Sequence, residues 1–324
     1  VRTKGWGGDR YSGDGNRTVY VATSGDLLQP STGKPQPPTP LDGEPLPVDW
    51  PGDRREHLAD WLTAPENPYF ARNIVNRVWA NFLGVGLVES VDDLRISNPA
   101  SNEELLAGLA EFLVDNDYDL RRLMREILRS KTYQRSSRPL PENAAENRFY
   151  SRYYPRRMPA EVLLDAISQV AAVPTEFTKI KFPNSSTADT DFYPTGTLAT
   201  QLYDSAVLSY FLRSFGRNSR TITCECERST DPSVVQVLHL SNGDTINDKL
   251  ARPGNRIDEL LKLELSNEAL VRKAYLITLA RDPTATELEH LSDLLARAGD
   301  DQKRKTLEDL FWGILSSREF MFNH

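Results

Sequence analysis

The chain has 324 residues, 39% of them hydrophobic and 26% charged, which is enough apolar content to build the core of one large domain or two ordinary ones. Its net charge of -7 argues against nucleic acid as the main partner, because phosphate binding is driven by clustered Lys and Arg. No apolar run approaches the roughly 18 to 20 residues that span a bilayer, so no membrane span is expected.

The chain opens Val1-Arg2-Thr3 without a Met, and we read it as a mature or excised fragment of something longer. Residues 1–52 are rich in Gly and Pro and read as an extended arm or linker, with Thr18 to Thr23 its only strand-like stretch. From Asp53 the pattern becomes helical. Residues 53–62 read as a short amphipathic helix. Asn67-Pro68 opens a second helix, with Phe70, Ile74, Val75, Val78, Trp79 and Phe82 as its apolar stripe and Gly84 as its stop. Ser101 with Glu104 has capping-box spacing and launches Leu105 to Val114, and Leu120 to Arg129 follows after an Asp-Asn-Asp turn. The adjacent arginines Arg121-Arg122 and Arg156-Arg157 sit among acidic residues and read as mixed solvated faces. Pro159 starts a helix whose Val162, Leu163, Ala166, Ile167 and Val170 share a face. Residues 174–200 lose periodicity and read as a long irregular surface insertion. After an extended Thr221 to Cys226, the chain is helical again to its end.

The two ends follow one template. Leu120, Leu123, Ile127, Leu128, Ser130 and Tyr133 recur at the same spacing as Leu307, Leu310, Ile314, Leu315, Ser317 and Phe320. Upstream, Leu106, Leu109, Phe112 and Leu113 match Leu288, Leu291, Leu294 and Leu295, while Phe70, Arg72, Val75, Val78 and Trp79 match Leu270, Arg272, Tyr275, Thr278 and Leu279. The expected fold is therefore mainly α, with a duplicated three-helix unit, a long irregular insertion (174–200) and an extended N-terminal arm. One helical half spans 53–150 and the other 151–324.

Chemistry is less legible. Cys224 and Cys226 lie two apart in an extended stretch, so both thiols share one face, and Glu225 and Glu227 the other. That arrangement suits a soft metal or redox pair. Equally, the thiols suit a core, with the carboxylates paired to Arg220 or Arg228. The four histidines, His57, His239, His290 and His324, show no ligand spacing. Asp92-Asp93 offers paired carboxylates for acid/base work or a hard cation, against a plain pairing with Arg95. Asn73, Asn76 and Arg77, at i, i+3 and i+4, form a polar helix face that either binds a ligand or ties down a neighbouring loop. Arg157 and Glu161 have the spacing of an ion pair. No nucleotide-binding, zinc-protease or nucleophile-elbow motif occurs, and C-x-x-C-H is absent, so no cofactor is expected in this chain.

The strings Arg54-Arg55 … Leu58-Ala59-x-Trp61-Leu62 … Asn67-Pro68-x-Phe70-Ala71-Arg72 … Asn76-Arg77-x-Trp79 … Gly86-Leu87-Val88-Glu89 … Asp92-Asp93 resemble the planctomycete cytochrome c-associated C-terminal domain of unknown function. So do Asn102-x-Glu104-Leu105-Leu106, Ser130-x-x-Tyr133-Gln134-x-Ser136-Ser137, Arg156-Arg157-Met158-x-Ala160-Glu161 and Cys224-Glu225-Cys226-Glu227-Arg228. The resemblance implies a large exported protein of the periplasm or cell surface, with haem c on an upstream module where one is present. It implies upstream domains of the same polypeptide as partners, along with other exported proteins or glycan. It carries no established catalytic residues. The leading expectation is a non-catalytic binding or assembly domain. The alternatives are an extracytoplasmic hydrolase of glycan or another polymer using Asp92 or Asp93 with Glu225 or Glu227, and a metal or redox accessory using Cys224 and Cys226.

Overall fold

The computed structural model describes residues 2–4, 18–20, 27–181, 186–202, 206–217 and 233–323. The chain forms two compact units, Val1–Tyr154 and Pro155–His324. Helices dominate among the described residues, and the strands form three short two-stranded antiparallel pairs.

In the first unit β1 (Arg2–Lys4) pairs with β2 (Thr18–Tyr20), so the expected strand forms over its first three residues. Helix α1 (Arg54–Thr63) starts where Asp53 accepts from Arg55 N, yet none of its side chains is buried and Leu58 is exposed. The amphipathic reading of this segment is thus corrected. Asn67 Oδ1 accepts from Tyr69 N and Phe70 N at 2.9 Å, and α2 (Phe70–Leu83) runs to a left-handed Gly84. Its buried line is Ala71, Val75, Asn76, Trp79 and Leu83, while Phe70, Ile74, Val78 and Phe82 of the expected stripe are half-buried beside it. Helix α3 (Glu103–Asp115) is capped by Asn102, which accepts from Leu105 N, and not by Ser101 as expected. A carboxamide one residue later reaches the same free amides. Helix α4 (Leu120–Arg129) is capped by Asp119 and buries Leu123 and Ile127. Residues 130–154 close over this core: Tyr150 Oη donates to Gly86 O at 2.7 Å, and its ring meets Trp79 edge-on at 5.4 Å.

In the second unit β3 (Arg156–Arg157) pairs with the C-terminal β6 (Phe322–Asn323). Helix α5 (Ala160–Ala171) buries Leu163, Leu164, Ile167 and Val170, while Val162 is exposed, so the face sits one residue round from the expected one. The stretch after it is only partly a surface excursion. It pairs β4 (Lys179–Ile180) with β5 (Ala188–Asp189), and buries Phe177 and Ala199 against the core. Asp165 holds the chain there by accepting from Ala199 N and Thr200 N.

Short helices α6 (Tyr210–Ser214), α7 (Val234–Asn242), α8 (Asp244–Ala251) and α9 (Arg256–Leu261) follow, then α10 (Asn267–Leu279), α11 (Ala285–Leu315) and α12 (Arg318–Met321). Gly299, at φ 66°, breaks α11 into two helical stretches. Each copy of the sequence repeat therefore supplies three helical stretches: α2, α3 and α4 in one, and α10 with the two parts of α11 in the other. The matched serines act alike. Ser130 Oγ accepts from Tyr133 N and Ser317 Oγ from Phe320 N, both at 3.1 Å.

Candidate functional site

The sequence-expected polar residues fall in two places. Asn76 is fully buried, donates to Val88 O and Val91 O, and accepts from Val88 N, all at 2.9 Å. Its carboxamide ties the 84–91 loop to α2 and is closed to a ligand. Gly86 belongs to this lock, since a Cβ there would lie 2.6 Å from Val88 O and 3.0 Å from Asn76 Oδ1. Asn73 and Arg77 remain at the surface. Asn73 Oδ1 accepts from Arg77 Nε at 3.1 Å, and Arg77 reaches Asp92 at 2.5 Å. Asp93 makes a two-pronged pair with Arg95, both contacts 2.6 Å, and that guanidinium holds its carboxyl below the usual range. Both candidate carboxylates are thus held by arginine. Glu161 lies 3.6 Å from Arg217. Cys224, Glu225, Cys226 and Glu227 lie outside the described residues. Among the described residues no group of three His, Cys, Asp or Glu side chains is arranged to hold a metal.

A different place offers concavity. In the second unit a cleft of about 300 Å³ opens between the loop after α5 (Val173 to Glu176), the start of α6, and α7 with α8. His239 of α7 is 9% exposed, and its Nε2 is 2.9 Å from Thr245 Oγ1. The rings of Tyr210 and Phe211 surround it at 5.2 and 5.7 Å. Burial pushes the imidazole pKa down, against the opposing pull of Asp244. Gly243 makes this packing possible, because a Cβ there would stand 2.2 Å from His239 O and 2.6 Å from its Nδ1.

Lys249 of α8 is 8% exposed and donates from Nζ to Val173 O at 2.8 Å. Burial, with Arg252 adding repulsion and Glu176 opposing, pushes its pKa down to about 8. Two titratable groups perturbed by burial in one concavity mark a candidate site on physical grounds. The lining carries Glu176, Asp244 and Asp248 against Lys249 and Arg252, so no charge sign dominates. Tyr210, 53% exposed, also lines the cleft.

The sequence did carry a signal for this site. Ile246, Lys249 and Leu250 stand at i, i+3 and i+4, so a lysine occupies the buried line of a short helix, where lysine is rare. His239 gave none, because its environment is made by residues from other helices.

Fold and site together define a mainly helical protein of two units, with a mixed-charge cleft in the second. The chain belongs to the PSD1 family, described as protein of unknown function (DUF1553), which matches residues 54–295. That agrees with the resemblance drawn from its motifs. No curated protein and no solved structure matches it. Among the described residues no helix is long and apolar enough to cross a membrane.

Proposed function

We propose that this chain is a non-catalytic binding domain of a larger exported, cytochrome c-associated protein, and that the cleft beside Lys249 and His239 is its ligand site. The observation that carries the proposal is the cleft itself, which is lined by a buried amine, a buried imidazole and an exposed tyrosine. Balanced charge disfavours strongly ionic ligands. The hydroxyls of Ser209 and Thr245, the carboxylates and the Tyr210 ring together suit a neutral, hydroxyl-rich ligand such as the end of a glycan. Supporting the non-catalytic reading, Asp92 and Asp93 are each engaged by an arginine, and the Arg95 guanidinium holds the Asp93 carboxyl below the usual range, away from what a general acid at neutral pH requires. The exported setting and the haem-bearing upstream module rest on the family resemblance.

Isothermal titration with chitotriose, cellotriose and maltotriose tests the assignment. Binding by one of them, lost in Tyr210→Ala and weakened in Lys249→Met, is the expected result. Absence of heat from all three, or turnover of any of them to shorter sugars, would overturn it.

A further inference from the structure

Helix α4 carries Arg121, Arg122, Arg125 and Arg129 with one carboxylate, Glu126, in ten residues of a chain whose net charge is -7. Leu123 and Ile127 face the core, and the four arginines are exposed. Arg122, Arg125, Arg129 and the lone carboxylate Glu126 line a groove of about 360 Å³ with Phe112 of α3 and Asn116 just after it. Arg122 is occupied, donating to Asn116 Oδ1 at 2.5 Å and lying 3.6 Å from Asp119. Among the described residues neither Arg125 nor Arg129 meets a carboxylate in an ion pair. The face expected to be mixed around Arg121-Arg122 does carry Asp119 and Glu126, with the arginines in excess.

The repeat supplies an internal control. At the positions of Arg121, Arg122, Arg125 and Arg129, the second copy has Glu308, Asp309, Trp312 and Ser316. The same helix forms there with the same serine after it, so folding this unit does not call for arginine. The geometry points to a docking groove for an acidic segment of a partner protein. Arg122, Arg125 and Arg129 stand three and four residues apart, about 4.5 and 6 Å along the axis, which matches the turn-to-turn spacing of carboxylates on one face of an acidic helix. Guanidinium forks bind carboxylates with two parallel bonds, and Phe112 gives the methylene stems of Glu an apolar floor. One short helix within an acidic chain is a poor track for a polyphosphate, which gains affinity from many contacts in a row. This groove is separate from the cleft and does not depend on it.

Fluorescence anisotropy on the full chain decides the matter, using a labelled decaglutamate, a charge-free decapeptide, a 12-nucleotide single-stranded DNA and a sulfated oligosaccharide. The expected result is binding of decaglutamate, weakened by salt and about tenfold weaker in Arg125→Ser/Arg129→Ser. Arg125→Lys/Arg129→Lys should lose less, because it keeps charge and loses only the fork. Equal affinity of the serine variant for decaglutamate, no binding of decaglutamate, or tighter binding of the DNA or the sulfated sugar would each overturn the proposal. An unchanged melting temperature of the serine variant shows that any loss is local.

Discussion

Asn76 and Asn255 are fully buried, and each is satisfied through its carboxamide. Asn255 Oδ1 accepts from Ile257 N and Asp258 N while its Nδ2 donates to Lys249 O and Leu250 O, so one side chain ends α8 and starts α9. Asn76 instead ties the loop after α2 back onto the middle of that helix. Removing such a group strands several buried partners at once, which costs more than the bond itself. We expect Asn76→Ala to lower unfolding free energy by about 2 to 4 kcal/mol in urea titration. A loss near zero would mean that the loop is not held by Asn76. Lys249 acts in the opposite sense. Its folded pKa of about 8 lies below the usual value near 10.5, so between those limits the unfolded chain binds more protons and stability rises with pH. Below pH 8 both states are protonated and the penalty is constant. Lys249→Met should therefore stabilise the protein by about 1 kcal/mol at pH 7, after allowing for the lost Val173 bond and for water at the cleft mouth. It should also flatten the rise in melting temperature between pH 8 and 10. A wild-type profile flat across that range would contradict the buried amine.

At the scale of elements, the repeat gives the same local device twice. Ser130 and Ser317 each receive the backbone N–H of the aromatic residue three positions on, which turns the chain sharply after a helix. Ser130→Ala and Ser317→Ala should each cost about 1 kcal/mol, measured by urea titration. A clear loss in one and none in the other would show that the matched serines play different parts. This motif was readable in the sequence because a serine cap and its aromatic lie within one turn. The buried faces of α2 and α5 were readable to within one position, since periodicity fixes a stripe but not which edge of it the neighbours cover. Helix α1 shows where periodicity stops helping. Its Leu58 and Trp61 have the spacing of a core face, yet no element covers them fully. The clamp at Arg281 lay further out of reach. Its guanidinium joins Glu287, at the start of α11, to Glu319 of α12, carboxylates 32 residues apart in the chain, and it lies over the Tyr275 ring. Arg281 and Thr284 hold the Glu287 carboxyl down to about 2. The clamp's stabilising effect is thus fully present above the usual carboxylate pKa and fades as pH falls toward 2. Nothing local in the sequence pairs these groups. Apart from Lys249 on the buried line of α8, the cleft was hidden for the same reason, because Val173, Tyr210, His239 and Lys249 come from four separate segments.

At the scale of the whole molecule, the buried apolar residues form two separate clusters. One is built from α2, α3, α4 and the tyrosines at 150, 153 and 154, and the other from α5, α6 and α8 to α12. Each half of the chain thus supplies its own hydrophobic driving force, and each contains one copy of the repeated helices. Leu113 of α3 and Leu164 of α5 are both fully buried, one in each cluster. Truncating either to Ala leaves a cavity whose cost, about 2 to 5 kcal/mol, falls on the cluster that surrounds it. Hydrogen exchange resolves where that cost is felt, because amide protection reports the opening free energy of the cooperative unit to which each amide belongs. We expect Leu113→Ala to speed exchange throughout α2, α3 and α4 and to leave α5, α8 and α10 protected, and Leu164→Ala to do the reverse. Equal loss of protection in both sets of helices, from either substitution, would mean that the two clusters melt as one cooperative unit and that the repeat does not mark separate folding units.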